Sequence, residues 1–288
     1  MGSGVKRSNI MITIISIIMF LLGCLIFFYP TISNYLAKKQ YKELINNYDN
    51  QYDEIVEEDL SNEYEKAVTY NKSLNGEMVR DPFIPGSGYA LPDNYNEVLN
   101  IAGDGIMGYV EIPKISLKIP IYHGSSKKVL EKGIGHLETS ALPIGGTGNN
   151  PILTGHRGLP SAELFTRLDE LKKGDMIYIS VLNDYLAYKV NNTFNILPGD
   201  TSKLVADKDK DMLTLITCTP YGVNTHRLIV QALRTTYSKE EKESIKPTHT
   251  FRLTESTLTR IGGTILGIII LLIIFYQIRR IRKNEKEN

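Results

Sequence analysis

Apolar and polar positions change regime several times along the chain. From Ile10 to Tyr29, "IMITIISIIMFLLGCLIFFY" carries no charge and is long enough, at ~1.5 Å per residue, to cross ~30 Å of hydrocarbon. The run exceeds the apolar part of a signal peptide and no small-residue cleavage site follows, so it predicts a transmembrane helix that is retained. A second run, Ile261 to Ile278, leads straight into Arg279, Arg280, Arg282 and Lys283. Such a basic flank marks the cytoplasmic side of a span.

Between the two runs the pattern is first helical and then β. Tyr41, Leu44, Ile45, Tyr48, Tyr52, Ile55, Val56, Leu60, Tyr64 and Ala67 recur at helical spacing between polar residues, which predicts an amphipathic helical segment from Tyr35 to about Val68. Its stripe is expected to pack on the next domain or on lipid headgroups. "NGEMVRDPFIPGSGYALPDN", residues 75–94, concentrates Gly and Pro and predicts a long loop. From Ile101 to Tyr237, "MGYVEIPKISLKIPIYHG", "DMIYISVLNDYLAYKVNNTFNIL" and "MLTLITC" are β-branched and aromatic runs broken at short intervals by turn residues. "SAELFTRLDELKKGD" is the one helical insert. Many short strands with little helix predict a closed or nearly closed barrel.

Two spans place both termini on one side, and Lys6 and Arg7 agree with the C-terminal basic tail. Lys38, Lys39 and Lys42 on the outer flank weaken that vote, so the orientation rests mostly on the second span. The expected topology is two transmembrane spans, both termini cytoplasmic and the catalytic domain extracellular. A formal net charge of +1 over 288 residues supplies no basic field to track phosphates and gives no argument for nucleic acid. No internal repeat and no metal-ligand spacing is present, and nothing in the sequence asks for a cofactor or a metal.

Cys24 lies within the first apolar run, which leaves Cys218 as the only cysteine of the exported portion, so that portion holds no internal disulfide. Taken alone, Cys218 reads as a small buried hydrophobe. Its surroundings argue otherwise. "MLTLIT" reads as a strand ending at Cys218, "TPYGVNTH" as a turn and "RLIVQAL" as the next strand starting at Arg227, so a hairpin makes Cys218 and Arg227 neighbours. A guanidinium beside a thiol favours the thiolate and can stabilise an oxyanion. "PILTGHRG" offers His156 at the end of another apolar run, between glycines that leave its ring accessible. Each of these residues alone has an ordinary structural reading. Together they form a set for acyl transfer through a thioester, in which sulfur attacks, imidazole protonates the leaving amine and Arg offsets developing charge. His123 and His136 lie in turn-like contexts, His226 is expected on the face opposite Arg227, and His249 sits in the polar stretch before the second run.

"TLITCTPYGVNTHRLIV", "LTGHRG", "GYVEIPKISLKIPIYHG" and "GIGHLETSALPIGGTGNNPILTGHRG" resemble the signature segments of the sortases, membrane-anchored cysteine transpeptidases of Gram-positive bacteria, over roughly residues 105–235. "DPF" at Asp81, Pro82 and Phe83, together with the C-terminal span, resembles the pilin-polymerising branch, class C. The resemblance implies a mainly β fold, an eight-stranded sortase-type β-barrel with an N-terminal helical segment, flanked by two transmembrane helices. It implies Cys218 as nucleophile, His156 as general acid and base, and Arg227 as the positioning and charge-stabilising group. It also implies the reaction: an LPxTG-like sorting motif on a secreted pilin or surface protein is cut after Thr, and a thioester on Cys218 is resolved by an amine. In the pilin branch that amine is a lysine of the next pilin.

The expected organisation is a cytoplasmic N-terminus 1–9, a transmembrane helix 10–29, an extracytoplasmic helical segment 30–74 and a lid loop 75–94. The barrel catalytic domain 95–238 follows, then a juxtamembrane linker 239–260, a transmembrane helix 261–278 and a basic cytoplasmic tail 279–288. In the lid, Pro82 pins the chain, Asp81 is expected to pair with Arg227, and Phe83 to cover Cys218. An ordinary surface loop is the alternative. Two other readings stand beside the pilin polymerase: a housekeeping sortase that uses a cell-wall peptide amine, and a non-enzymatic membrane-tethered β-domain scaffold.

Overall fold

A computed structural model describes residues 2–74, residue 83, residues 94–248 and, near the C-terminus, 262–270, 272–273, 275–277 and 279. It divides into a unit made of the two terminal regions, Met1–Asn34 with Thr250–Asn288, and a unit Tyr35–His249. In the terminal unit, the first part of α1 (Gly2–Asp53) is apolar all round, with Leu22, Leu25, Ile26 and Phe28 exposed. α1 is, among the described residues, the one helix long and apolar enough to cross a membrane. A shorter apolar helix runs Gly262–Gln277.

In the other unit, α1 continues as an amphipathic helix. Tyr41, Ile45, Tyr48 and Tyr52, three or four positions apart, are buried in the same core as the barrel strands. Tyr48 fixes the docking: its hydroxyl donates to Met107 O at 3.3 Å and accepts from Leu182 N at 3.1 Å. The expected stripe is not one helix, however. It breaks after α1, where Val56 is extended, and α2 (Glu57–Ser73) follows; Val56 and Tyr64 are exposed rather than packed. On α2, Tyr70 donates to Glu138 O at 2.9 Å, and Asn71 both donates to Leu142 O and accepts from Leu142 N.

The β region closes into an eight-stranded barrel: β1 (Ile106–Ile112), β2 (Leu117–His123), β3 (Ile134–His136), β4 (Ile152–Thr154), β5 (Met176–Val181), β6 (Asp184–Ile196), β7 (Met212–Thr219) and β8 (His226–Thr235). The order around the barrel is β1-β2-β3-β4-β7-β8-β6-β5. Closure leaves no free sheet edge. Most pairs are antiparallel, but β4 runs parallel to β7, with Ile152, Leu153 and Thr154 beside Thr214, Leu215 and Ile216.

Strand alternation divides the apolar residues between two clusters. Leu153, Leu213, Leu215, Leu228 and Val230 belong to the large cluster shared with the helices. Ile152, Ile196, Ile216 and Ile229 point the other way, into a smaller cluster with Leu137 and Leu204. Cys218 follows Ile216 by two positions and Arg227 precedes Ile229 by two. Both therefore stand on the face of the smaller cluster.

The helix expected in "SAELFTRLDELKKGD" is instead a 3-10 helix, Leu164–Glu170, with non-helical angles at Phe165. Leu164, Phe165 and Leu168 are buried, and Phe165 N donates to His156 O at 3.1 Å, so core contacts override the local helical preference. The stretch expected as the start of the linker also packs on the barrel. α3 (Lys239–Ser244) places Lys242 Nζ 2.8 Å from Glu111 and over the rings of Tyr178 and Tyr185. Thr248 N donates to Lys114 O at 2.7 Å.

Candidate active site

The β7–β8 hairpin sets the first two site residues. Cys218, near the end of β7, pairs in register with Arg227, near the start of β8. Between them the chain reverses through residues 220–225, helped by Gly222 and Asn224, which take positive φ values of 76° and 60°. Cys218 carries a thiol, not a disulfide, and is partly exposed. The Arg227 side chain lies against the sheet with only 6% of the residue exposed. Its Nη1 donates to the carbonyls of Asn224 and His226, at 3.3 Å each.

β4 delivers the third residue. Gly155 N donates to Ile216 O, and Thr217 Oγ1 donates to Gly155 O at 2.7 Å, so the alignment of β4 with β7 persists beyond the last ladder pair. Continuing that alignment by one residue sets His156 beside Cys218. Gly155 is required at this point: a Cβ there would stand 2.6 Å from Ile134 Cδ1 and 3.0 Å from the Phe165 ring. Burial lowers the pKa of His156 below the ordinary imidazole value, an effect that Glu131 partly opposes.

Phe83 completes the face. Its ring centre is 6.0 Å from that of His156, and the Arg227 guanidinium carbon lies 5.1 Å from it, within cation–π range. It packs against the smaller apolar cluster. Of the expected lid residues, Asp81 and Pro82 lie outside the described residues, as does His249.

The remaining histidines hold structural places. His226 is half-exposed at the start of β8, beside the Thr225 hydroxyl. His123 and His136 are not in turns as expected: they end β2 and β3, pair with each other in register and are buried. The Tyr95 hydroxyl donates to His136 Nδ1 at 2.9 Å and accepts from Gly124 N at 2.8 Å, while His136 Nε2 donates to Ala141 O at 2.8 Å. That pattern suits a neutral ring, and burial holds the pKa of His136 down at about 4. Among the described residues, no three His, Cys, Asp or Glu side chains converge where they could hold a metal ion.

One contact has no counterpart in the expectations drawn from the sequence. Arg157, next to His156, donates from Nη1 to Thr219 Oγ1, next to Cys218, at 2.8 Å and from Nη2 to Asp169 at 2.6 Å. The only hint was the adjacency of Arg157 to His156 in "GHRG".

A thiol, an imidazole and a guanidinium on one face, over an apolar floor, can together perform acyl transfer. Comparison with known proteins agrees. The sortase-domain family model matches residues 110–235. Sortase A of Staphylococcus aureus is 27% identical over 223 residues, which cover 76% of this chain and 92% of that protein. Among solved structures, Streptococcus agalactiae sortase C1 is 42% identical with a TM-score of 0.63, covering 68% of this chain and 100% of the other. Streptococcus pneumoniae sortase C, whose structure is described in terms of catalysis and pilin substrate specificity, is 38% identical with a TM-score of 0.64, covering 68% and 98%. The chain belongs to the sortase family of cysteine transpeptidases, and class C sortases are among its structural neighbours.

Proposed function

We propose that this transpeptidase cleaves an LPxTG-like sorting motif after Thr and transfers the acyl group to a lysine amine of a pilin, polymerising pilus subunits. The observation that carries the reading is the Phe83 ring, which lies near both the His156 ring and the Arg227 guanidinium and packs on the smaller apolar cluster. This contact supports reading Phe83 as part of a lid over the site. The relatives named for pilin substrates and pili support it further.

In this reading the Cys218 thiolate attacks the Thr carbonyl, Arg227 offsets the charge on the oxyanion, and the His156 imidazolium protonates the departing amine. The product is a thioester on Cys218 and a free C-terminal fragment. His156 then takes a proton from the pilin lysine as its nitrogen attacks the thioester, which forms an isopeptide bond and releases Cys218 as thiolate beside the imidazolium. The apolar part of α1 anchors the enzyme, and we infer that the helix Gly262–Gln277 belongs to a second span, with the barrel outside the membrane and both termini in the cytoplasm.

Incubating the full-length enzyme in detergent micelles with a pilin bearing an LPxTG-like motif tests this. A ladder of lysine-linked oligomers, identified by mass analysis of the branched peptides, is expected. Transfer only to a cell-wall peptide amine, with no lysine-linked product, would instead make it a housekeeping sortase.

A further inference from the structure

We propose that Arg157 is a positioning residue: it clamps the end of β7 to the His156 loop from behind and so sets the spacing of His156 and Cys218. The inference rests on the assignment of those two residues as the reacting pair.

The geometry begins with register. Parallel pairing of β4 with β7 matches Thr154 to Ile216. The Thr217 bond to Gly155 O and the Arg157 bond to Thr219 Oγ1 both join residues 62 positions apart, the same offset. His156 and Cys218 share it, so the two bonds bracket the pair on either side. β4 has formally ended by then, and no ladder bond holds His156 to Cys218. Side-chain bonds do the alignment where the backbone ladder stops.

Cys218 shares its face with Ile216 and the smaller apolar cluster, so Thr219 faces the other way, as Thr217 does. Arg157 meets Thr219 there, away from Phe83 and from any peptide on the Cys218 face. Its guanidinium therefore acts on the site through its neighbours and does not touch substrate.

The Arg157 side chain is only 6% exposed, its Nη2 pairs with Asp169 at 2.6 Å, and Asp169 lies in the 3-10 helix that also bonds His156 O through Phe165 N. One planar group thus joins three segments: the His156 loop, the Cys218 strand and the 3-10 helix. Its Nε is buried without a partner. An orphaned buried donor is unfavourable, so stability alone is a poor reason to keep Arg at this position. A lysine could not replace it, because one ammonium has no fork to bridge a hydroxyl and a carboxylate in one plane.

The test uses the full-length enzyme in detergent and a fluorogenic LPxTG peptide, with Cys218→Ala as reference. Thr219→Val keeps the shape of the side chain and the Arg157–Asp169 pair but removes the acceptor. It is expected to lower kcat by about 10-fold to 10²-fold with KM changed less than about 2-fold, and, because it leaves the buried Nη1 without its acceptor, to lower the melting temperature by a few degrees. Thr219→Ser, which restores the hydroxyl, is expected to recover most of kcat, and Arg157→Lys to lose at least as much as Thr219→Val. A Thr219→Val enzyme with wild-type kcat overturns the clamp, and so does an equal loss in Thr219→Val and Thr219→Ser. If Cys218→Ala itself keeps wild-type turnover, the assignment of the reacting pair fails first, a result the Thr219 variants cannot mimic.

Discussion

Arg227 stands directly across the β7–β8 ladder from Cys218, with its guanidinium held by the carbonyls of Asn224, in the turn, and His226, the first residue of β8. The hairpin thus fixes a planar array of donors one strand away from the sulfur. Arg227→Lys is expected to lower kcat/KM for a sorting peptide by about 10²-fold or more, in the range seen when an oxyanion donor is lost. Steady-state cleavage of a fluorogenic peptide measures it. Near-normal turnover would make Arg227 a structural residue.

Phe83 covers both His156 and Arg227. A cation–π contact of this kind is worth about 0.5–2 kcal/mol, so Phe83→Ala should raise the rate of Cys218 alkylation and of peptide hydrolysis by about 2-fold to 30-fold. Because burial is the main cause of the lowered His156 pKa, removing the ring should also move that pKa upward, toward the ordinary imidazole value. NMR titration of the His156 ring checks the direction. Unchanged alkylation in Phe83→Ala, and in Asp81→Ala with Phe83→Ala, would rule out the proposed lid.

His136 makes the domain sensitive to acid. Its folded-state pKa, about 4, lies below the ordinary 6.5 because the ring is buried. Between those values the unfolded chain binds more protons, so this contribution is complete above about pH 6.5 and is lost as the pH falls through about 4. At about 1.4 kcal/mol per pKa unit, the loss is up to about 3 kcal/mol. Urea unfolding at several pH values should show it, and His136→Gln should be less stable at neutral pH but with a flatter pH dependence. An unaltered slope in that variant would assign the acid sensitivity elsewhere.

Gly155 is set by space rather than by backbone angle. A methyl group there would meet Ile134 Cδ1 at 2.6 Å and the Phe165 ring at 3.0 Å. Gly155→Ala is expected to destabilise the domain by about 1–3 kcal/mol and to lower kcat by displacing the His156 loop. Thermal unfolding and peptide cleavage, measured on the same preparation, report both.

The hairpin was legible in the sequence because two β-branched runs flank a turn-forming "PYG", which fixes Cys218 and Arg227 as neighbours without knowledge of the rest of the fold. His156 was legible as a glycine-flanked strand end. The Arg157–Thr219 contact was not, because it depends on the parallel register of β4 and β7, strands joined by a long crossover whose alignment leaves no local pattern. The same holds for His123 and His136: their burial requires Tyr95, which arrives from a turn well upstream. The segment around Leu164–Glu170 carries helical spacing, but Phe165 is drawn into the core and the helix tightens to 3-10.

The most direct test of the central claim is intact-mass analysis of the full-length enzyme after brief exposure to an LPxTG peptide, followed by peptide mapping. The expected result is an added mass equal to the acyl fragment ending in Thr, carried by Cys218, labile to hydroxylamine and absent from Cys218→Ala. Transfer product formed by Cys218→Ala, or an acyl adduct on any other residue, would contradict it.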